Sequence, residues 1–249
     1  MKRIFLLLLV FSSFIINAQD VPSSVISNYR RIARLLKYDS VKTLASLVTY
    51  PLKRFNPIPD IENAKGFISY YDTLFDDEFK KRVLHFKDSD IFQHEGNYGL
   101  FAGDIWIDEK GKIISINHSS DKEEALSLKM TNELKSKMYP EVNSWESNIM
   151  VLKCDKFMVR LDNTKDKGIR YVSWGKGKQI SDKPDLILYN GAEEFQGTEG
   201  GVTWTFKNGQ WTYIVDEVDM CEDEKNCGLF LQILSNGKLV ESIRCAEIK

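Results

Sequence analysis

The sequence predicts an α+β chain in which N-terminal helices pack on a curved antiparallel sheet and an all-β sandwich or small barrel follows. Three observations carry this expectation. From Asp20 to about Ser119, apolar residues first recur at helical spacing and then alternate as in strands. From Asn148 onward only short runs rich in β-branched and aromatic residues remain, bounded by Gly, Asn or Asp. The 249 residues, less an N-terminal leader, leave room for two domains of ordinary size.

The leader is "MKRIFLLLLVFSSFIINAQD": Lys2 and Arg3, an apolar run from Ile4, then the small residue Ala18 before polar Gln19 and Asp20. That layout predicts a secretory signal peptide over 1–18 and a periplasmic or secreted mature protein. Its apolar core is shorter than the roughly 20 residues a spanning helix needs, so no stable membrane span is expected. Export bears on the four cysteines, Cys154, Cys221, Cys227 and Cys245. An even count in an oxidising compartment favours two disulfides, with three connectivities open. The favoured one clips "CEDEKNC" through Cys221 and Cys227 and ties the first strand of a domain to its last through Cys154 and Cys245. A zinc site is disfavoured, because His85, His94 and His118 all lie earlier and the spacing fits no common pattern.

Between 20 and 119, Val25, Tyr29, Ile32, Leu35 and Leu36 predict a first helix, and "DSVKTLASLV" a second capped by Asp39 or Ser40. Pro51 biases Tyr50 toward extended backbone, so "YPLKRF" reads as an edge segment. A third helix, "DIENAKGFISYYDTLF", would bury Ile61, Ala64, Phe67, Ile68, Tyr71 and Leu74, and "DDEFKKRVLHF" gives a fourth. Two alternating runs then flank "DEKG", a hairpin turn. Pairing Ile107 with Lys112 puts Phe101, Ile105, Ile107, Ile114 and Ile116 on one face, and Asp104, Trp106, Ile113, Ser115 and Asn117 on the other.

Helices, "YPLKR", "GFISYYDTLF" and "GDIWIDEKGKIISIN", in that order, resemble the nuclear-transport-factor-2-like superfamily, a cystatin-like α+β cone, over roughly Ser23 to His118. The resemblance implies a curved sheet around a pocket that serves isomerases, dehydratases and non-catalytic binding modules alike. An isomerase-like or hydrolase-like use would make Asp104 the proton-transferring base and Tyr71 a donor to a developing oxyanion, with His94 beside them. The bland alternative keeps Asp104 in solvent, Tyr71 in the core and His94 in a loop.

Residues 120–147 are charged and Ser-rich, with a helical middle over Ala125 to Met138, and read as a connector. In 148–249, "KNGQ" and "SNGK" are hairpin signals, since Asn-Gly suits turns that need positive φ. Eight or nine such strands indicate an antiparallel sandwich or barrel. With Asn208 and Gly209 as the turn, Phe206 pairs with Trp211 and Trp204 with Tyr213, so these aromatics read as core rather than as a sugar-stacking platform. Trp174, Lys176, Lys178 and Lys183 in "WGKGKQISDKPD", and Thr198 and Glu199 in "QGTEGG", are left as candidate partner-binding residues.

An early Cys154 and a late Cys245 around aromatic strands resemble exported C-type lysozyme inhibitors, small β-barrel proteins. That likeness implies insertion of a Ser-Gly-type turn and a basic residue into the lysozyme cleft, for which "QGTEGG" and "WGKGKQ" are the similar loops. Charge narrows the partners further. Residues 20–140 carry 18 basic and 18 acidic side chains, and 141–249 carry 14 and 18, a net of −4. Neither half has the basic excess that nucleic-acid binding requires. The acidic run "DEVDMCEDEK" lacks the Asp-x-Asp-x-Asp-Gly order of a calcium loop. The sequence thus reads as an exported, non-catalytic binding or interaction protein of the cell envelope with no cofactor, whose partner is an envelope protein or glycan; the alternatives are an inhibitor or immunity-type protein acting through the C-terminal loops and a pocket enzyme in the N-terminal half.

Overall fold

The computed structural model describes residues 21–197, 201–219, 221 and 223–249. The leader expectation falls on residues outside that set. Helices come first: α1 (Ser23–Lys37), the single turn and a half of α2 (Val41–Ala45), α3 (Ala64–Leu74) and α4 (Asp77–Leu84). They pack on a four-stranded antiparallel sheet in sequential order, β1 (Ile91–His94), β2 (Asn97–Leu100), β3 (Ile105–Ile107) and β4 (Ile113–Ile116). α1 buries Val25, Tyr29, Ile32, Ala33 and Leu36 as one stripe. The Tyr29 hydroxyl donates to the Tyr98 carbonyl at 2.6 Å, satisfying the one polar atom that this stripe takes into the core.

α3 starts later than its periodicity suggests. Asn63 caps it by accepting from the Gly66 amide at 3.0 Å, and Ile61 pairs with Leu52 in an isolated bridge outside the helix. The buried stripe is therefore Phe67, Tyr71 and Leu74, and Ile68 is exposed. The β3–β4 hairpin also departs from the expected register. Ile105 pairs with Ile116 and Ile107 with Ile113, the ladder shifting between Trp106 and Ile107. That bulge lets Ile113 and Ile116 both face the core, while Ile114 is only half-buried. β1 turns into β2 through Glu95 and Gly96, both at positive φ.

Helix α5 (Asp121–Lys137) occupies the connector and is fixed at both ends. At its start Ser120 accepts from the Glu123 amide at 3.2 Å. Glu123, in the first turn, is almost fully buried and takes a bidentate pair from Arg54, 2.8 Å from Nε and 2.5 Å from the outer nitrogen. Tyr70 and Ser119 hydroxyls complete the carboxylate, and the Ile116 and His118 carbonyls complete the guanidinium. Removing one partner of such a pair would strand a buried charge at a cost of about 3–5 kcal/mol. At the other end Lys135 donates to the Trp145 carbonyl at 2.8 Å, with its ammonium 4.3 Å from the Trp145 ring centre.

Of sandwich and barrel, the second half forms the barrel. Strands β5 (Ser147–Cys154), β6 (Phe157–Thr164), β7 (Gly168–Gly175), β8 (Leu186–Phe195), β9 (Val202–Asn208), β10 (Trp211–Val218), β11 (Gly228–Ser235) and β12 (Lys238–Glu247) close on themselves, β12 pairing back to β5. Only three residue pairs make that closing seam, and Cys154 and Cys245 face each other in it and form a disulfide. Cys221 and Cys227 form the second disulfide. Leu152, Val159, Leu161, Tyr171, Trp204, Phe206, Val215 and Leu231 fill the interior. Gly191 in β8 leaves room for the Phe206 ring, which occupies the space a Cβ there would need.

The outer face of β6 and β7 is buried as well. Val172 and Trp174 pack under Met138, Val142 and Trp145 from the segment after α5. Beside them Asp162, fully buried, receives two guanidiniums, Arg160 at 2.7 Å and Arg170 at 2.8 Å. Arg170 also donates to the Val142 carbonyl at 2.8 Å, so a charged cluster fastens the connector to the barrel wall.

Candidate functional site

The two ends of the barrel differ. One end carries the β5–β6, β7–β8, β9–β10 and β11–β12 turns; the other carries the starts of β5 and β11 and the end of β12. At this second end the first half approaches. Asn56 donates to the Ile149 carbonyl at 3.3 Å, and Lys249 reaches Asp60 at 2.5 Å and the Arg54 carbonyl. The first end is open, and a cavity of about 430 Å³ lies in it.

Register builds this cavity. In the β9–β10 hairpin Asn208 pairs with Trp211, Phe206 with Tyr213 and Trp204 with Val215, so Gly209 and Gln210 form the turn, with Gly209 at φ +60°. The expected pairing of Phe206 with Trp211 is offset by one pair. The inward face stays the same, but Trp211 moves to the strand end, half-buried, and lines the mouth instead of the core. Tyr213 lies below it, its ring centre 5.6 Å from that of Tyr171. Phe157 from β6, Leu231 and Ile233 from β11 and Val240 from β12 supply the other walls.

Polar groups are few. Burial pushes the Tyr171 hydroxyl well above its usual range, against a smaller opposing effect of Ser173, and burial likewise raises Tyr213. Both phenols are therefore neutral donors at any physiological pH. Asp185 and Glu241 sit at the rim. Lys178 and the Gly175 amide, which donates at 2.7 Å, hold the Asp185 carboxyl below its usual range. Glu241 is met by Lys156 at 3.1 Å. A mostly apolar bowl with neutral hydroxyls and carboxyl groups at its rim can hold a small molecule; among the described residues its lining brings no nucleophile into contact with a base.

The expected partner-binding residues are divided by the fold. Lys176, Lys178 and Lys183 are exposed on the β7–β8 loop above the open mouth, where Lys178 pairs with Asp185. Trp174 is corrected: it is fully buried on the outer wall, its indole donating to the Asp182 carbonyl at 2.9 Å, so no partner reaches it. Alternation along β7 sends Tyr171 inward and Trp174 outward, where the connector covers it. Thr198 and Glu199 lie outside the described residues; the strands that flank them end at the opposite mouth, where Phe195 pairs with Val202.

The residues of the isomerase-like reading do not converge. Asp104 is held by Arg82 at 2.5 Å. The Tyr71 hydroxyl donates to Asp39 at 3.0 Å, and Lys80 bonds the same carboxylate oxygen at 2.7 Å. His94 is exposed at the end of β1, its ring centre 6.4 Å from that of Trp106 and steeply inclined to it. The side of the sheet facing the helices is filled by a continuous apolar core.

A second cavity, about 590 Å³, lies where the two halves meet, lined by Lys53, Asn56, Trp145, Glu217 and Glu247 among others. Arg54, Asn56, Ile149 and Lys249 on its walls also join the halves. Sequence reasoning missed Trp211, Tyr213, Asp185 and Glu241 as mouth residues; the only signal available was hairpin register, which a one-pair offset was enough to obscure. No family model, curated protein or solved structure matches this chain.

Proposed function

We propose that the chain is an exported, non-catalytic binding protein of the cell envelope, and that its ligand enters the open mouth of the barrel. The observation that carries this reading is the cavity at that mouth: apolar walls, neutral hydroxyls and a carboxyl-bearing rim, with no nucleophile and base in contact among the described residues that line it. Two disulfides support an oxidising, exported setting. The likeness of the first half to the cystatin-like cone stays part of the proposal as a packing scaffold, because Asp104, Tyr71 and His94 have separate partners. An inhibitor of the C-type lysozyme inhibitor kind is the second reading, favoured by the closed barrel clamped from first strand to last through Cys154 and Cys245.

Thermal-shift screening of the mature protein against envelope metabolites, glycans and a C-type lysozyme tests both readings, with Val240→Trp as a variant that plugs the mouth from an exposed position. Stabilisation by a small molecule or glycan that Val240→Trp abolishes is the expected result. Stabilisation by lysozyme with loss of muramidase activity would select the inhibitor instead. Turnover of a screened compound that persists in Val240→Trp would overturn the binding reading.

A further inference from the structure

Four aromatic rings, Phe157, Tyr171, Trp211 and Tyr213, line the open mouth, and the only charged side chains among its lining residues are two carboxylates, Asp185 and Glu241. The lysines that pair with them, Lys178 and Lys156, approach from outside and do not line the cavity. The interior therefore presents ring faces and negative charge together. Ring faces attract cations through their quadrupole, most strongly for Trp, and carboxylates add to that attraction. An anionic ligand would be repelled by both carboxylates, and a neutral one would gain from them hydrogen bonds but no charge attraction. The ion pairs to Lys178 and Lys156 are solvent-exposed, and exposed pairs are weak enough to exchange when a ligand cation arrives.

From this juxtaposition we infer that the barrel mouth binds a small organic cation with an apolar body, such as a substituted ammonium, its charge between Asp185 and Glu241 and its apolar part on Trp211, Tyr213 and Leu231. The cavity, about 430 Å³, has room for one such molecule. This rests on the binding reading above and adds the ligand class to it.

Benzyltrimethylammonium, its neutral isostere neopentylbenzene and the anion 3-phenylpropanoate form a matched set for calorimetric titration of the full mature chain. The cation binds at least about tenfold more tightly than either analogue. Asp185→Asn and Glu241→Gln each weaken it several-fold, Trp211→Leu weakens it by about tenfold or more, and Trp211→Phe retains much of the affinity. Unchanged thermal melts show that each variant is folded, and the exposure of Asp185 and Glu241 makes their amide variants safe in this respect. Equal or tighter binding of the neutral or anionic probe, lost in Trp211→Leu, would overturn the cation assignment while leaving the mouth as a binding site. Binding of none of the three would overturn the cation assignment, and the binding reading is then decided by the wider ligand screen against Val240→Trp.

Discussion

Glu217 faces the cavity where the two halves meet, and burial, with Asp219 and Glu247 nearby, raises its pKa against the weaker pull of Lys53. Its folded-state pKa therefore lies above the unfolded value. Between the two the folded chain holds more protons than the unfolded one, so this group's contribution to stability falls as pH rises through that window. Glu217→Gln is expected to melt at a higher temperature than the wild type at pH 7. The gap should close below about pH 4, where the carboxyl is protonated in both states. A Tm difference that stays constant across that range would place its cause elsewhere than in the charge. Trp174 and Trp211 carry the other lesson at this scale. Both are aromatic residues at strand ends near glycine, and nothing local separates them. Trp174 becomes core because the segment after α5 covers the outer wall, a contact made from residues Met138 to Trp145, far away in sequence.

At the scale of elements, the two disulfides do different work. Cys154 and Cys245 close a loop of sequence separation 91 across the three-pair seam, whereas Cys221 and Cys227 are 6 apart in a hairpin connection. The chain-entropy account gives about 4–5 kcal/mol for the first and about 2 kcal/mol for the second. Replacing Cys154 and Cys245 together by Ala should therefore lower stability by roughly twice as much or more as replacing Cys221 and Cys227, measured by urea unfolding of each double variant. Equal losses would mean that the seam is held by its strands alone.

These pairings were legible in the sequence, as were α1, α4, the β-rich second half and the Asn236–Gly237 turn, because each is set by local chemistry: apolar spacing, caps, and positive φ at an Asn-Gly pair. The bulge at β3–β4 and the offset at β9–β10 were not. The offset at β9–β10 keeps the inward face that alternation demands and changes only which residues face each other, whereas the bulge at β3–β4 puts Ile113 in place of Ile114 on the core face; packing across the sheet decides both. Since Trp211 reaches the mouth only through that offset, the candidate site was hidden for the same reason.

For the molecule as a whole, the arrangement is directional. The first half meets the barrel at one end through Asn56, Asp60 and Lys249, α5 is anchored by Arg54–Glu123 at its start, and the opposite mouth is left open under the β7–β8 loop. That asymmetry is why the open mouth, and not the sheet of the first half, is assigned the ligand. The most direct test is methyl and indole NMR of the mature protein titrated with benzyltrimethylammonium, which asks where the molecule responds. The account predicts shifts at the Trp211 indole N–H and at the Leu231, Ile233 and Val240 methyls, with the methyls of Ile105, Ile107 and Ile116 unmoved. Shifts centred on those isoleucines, or on Ile149 at the junction of the two halves, would contradict it.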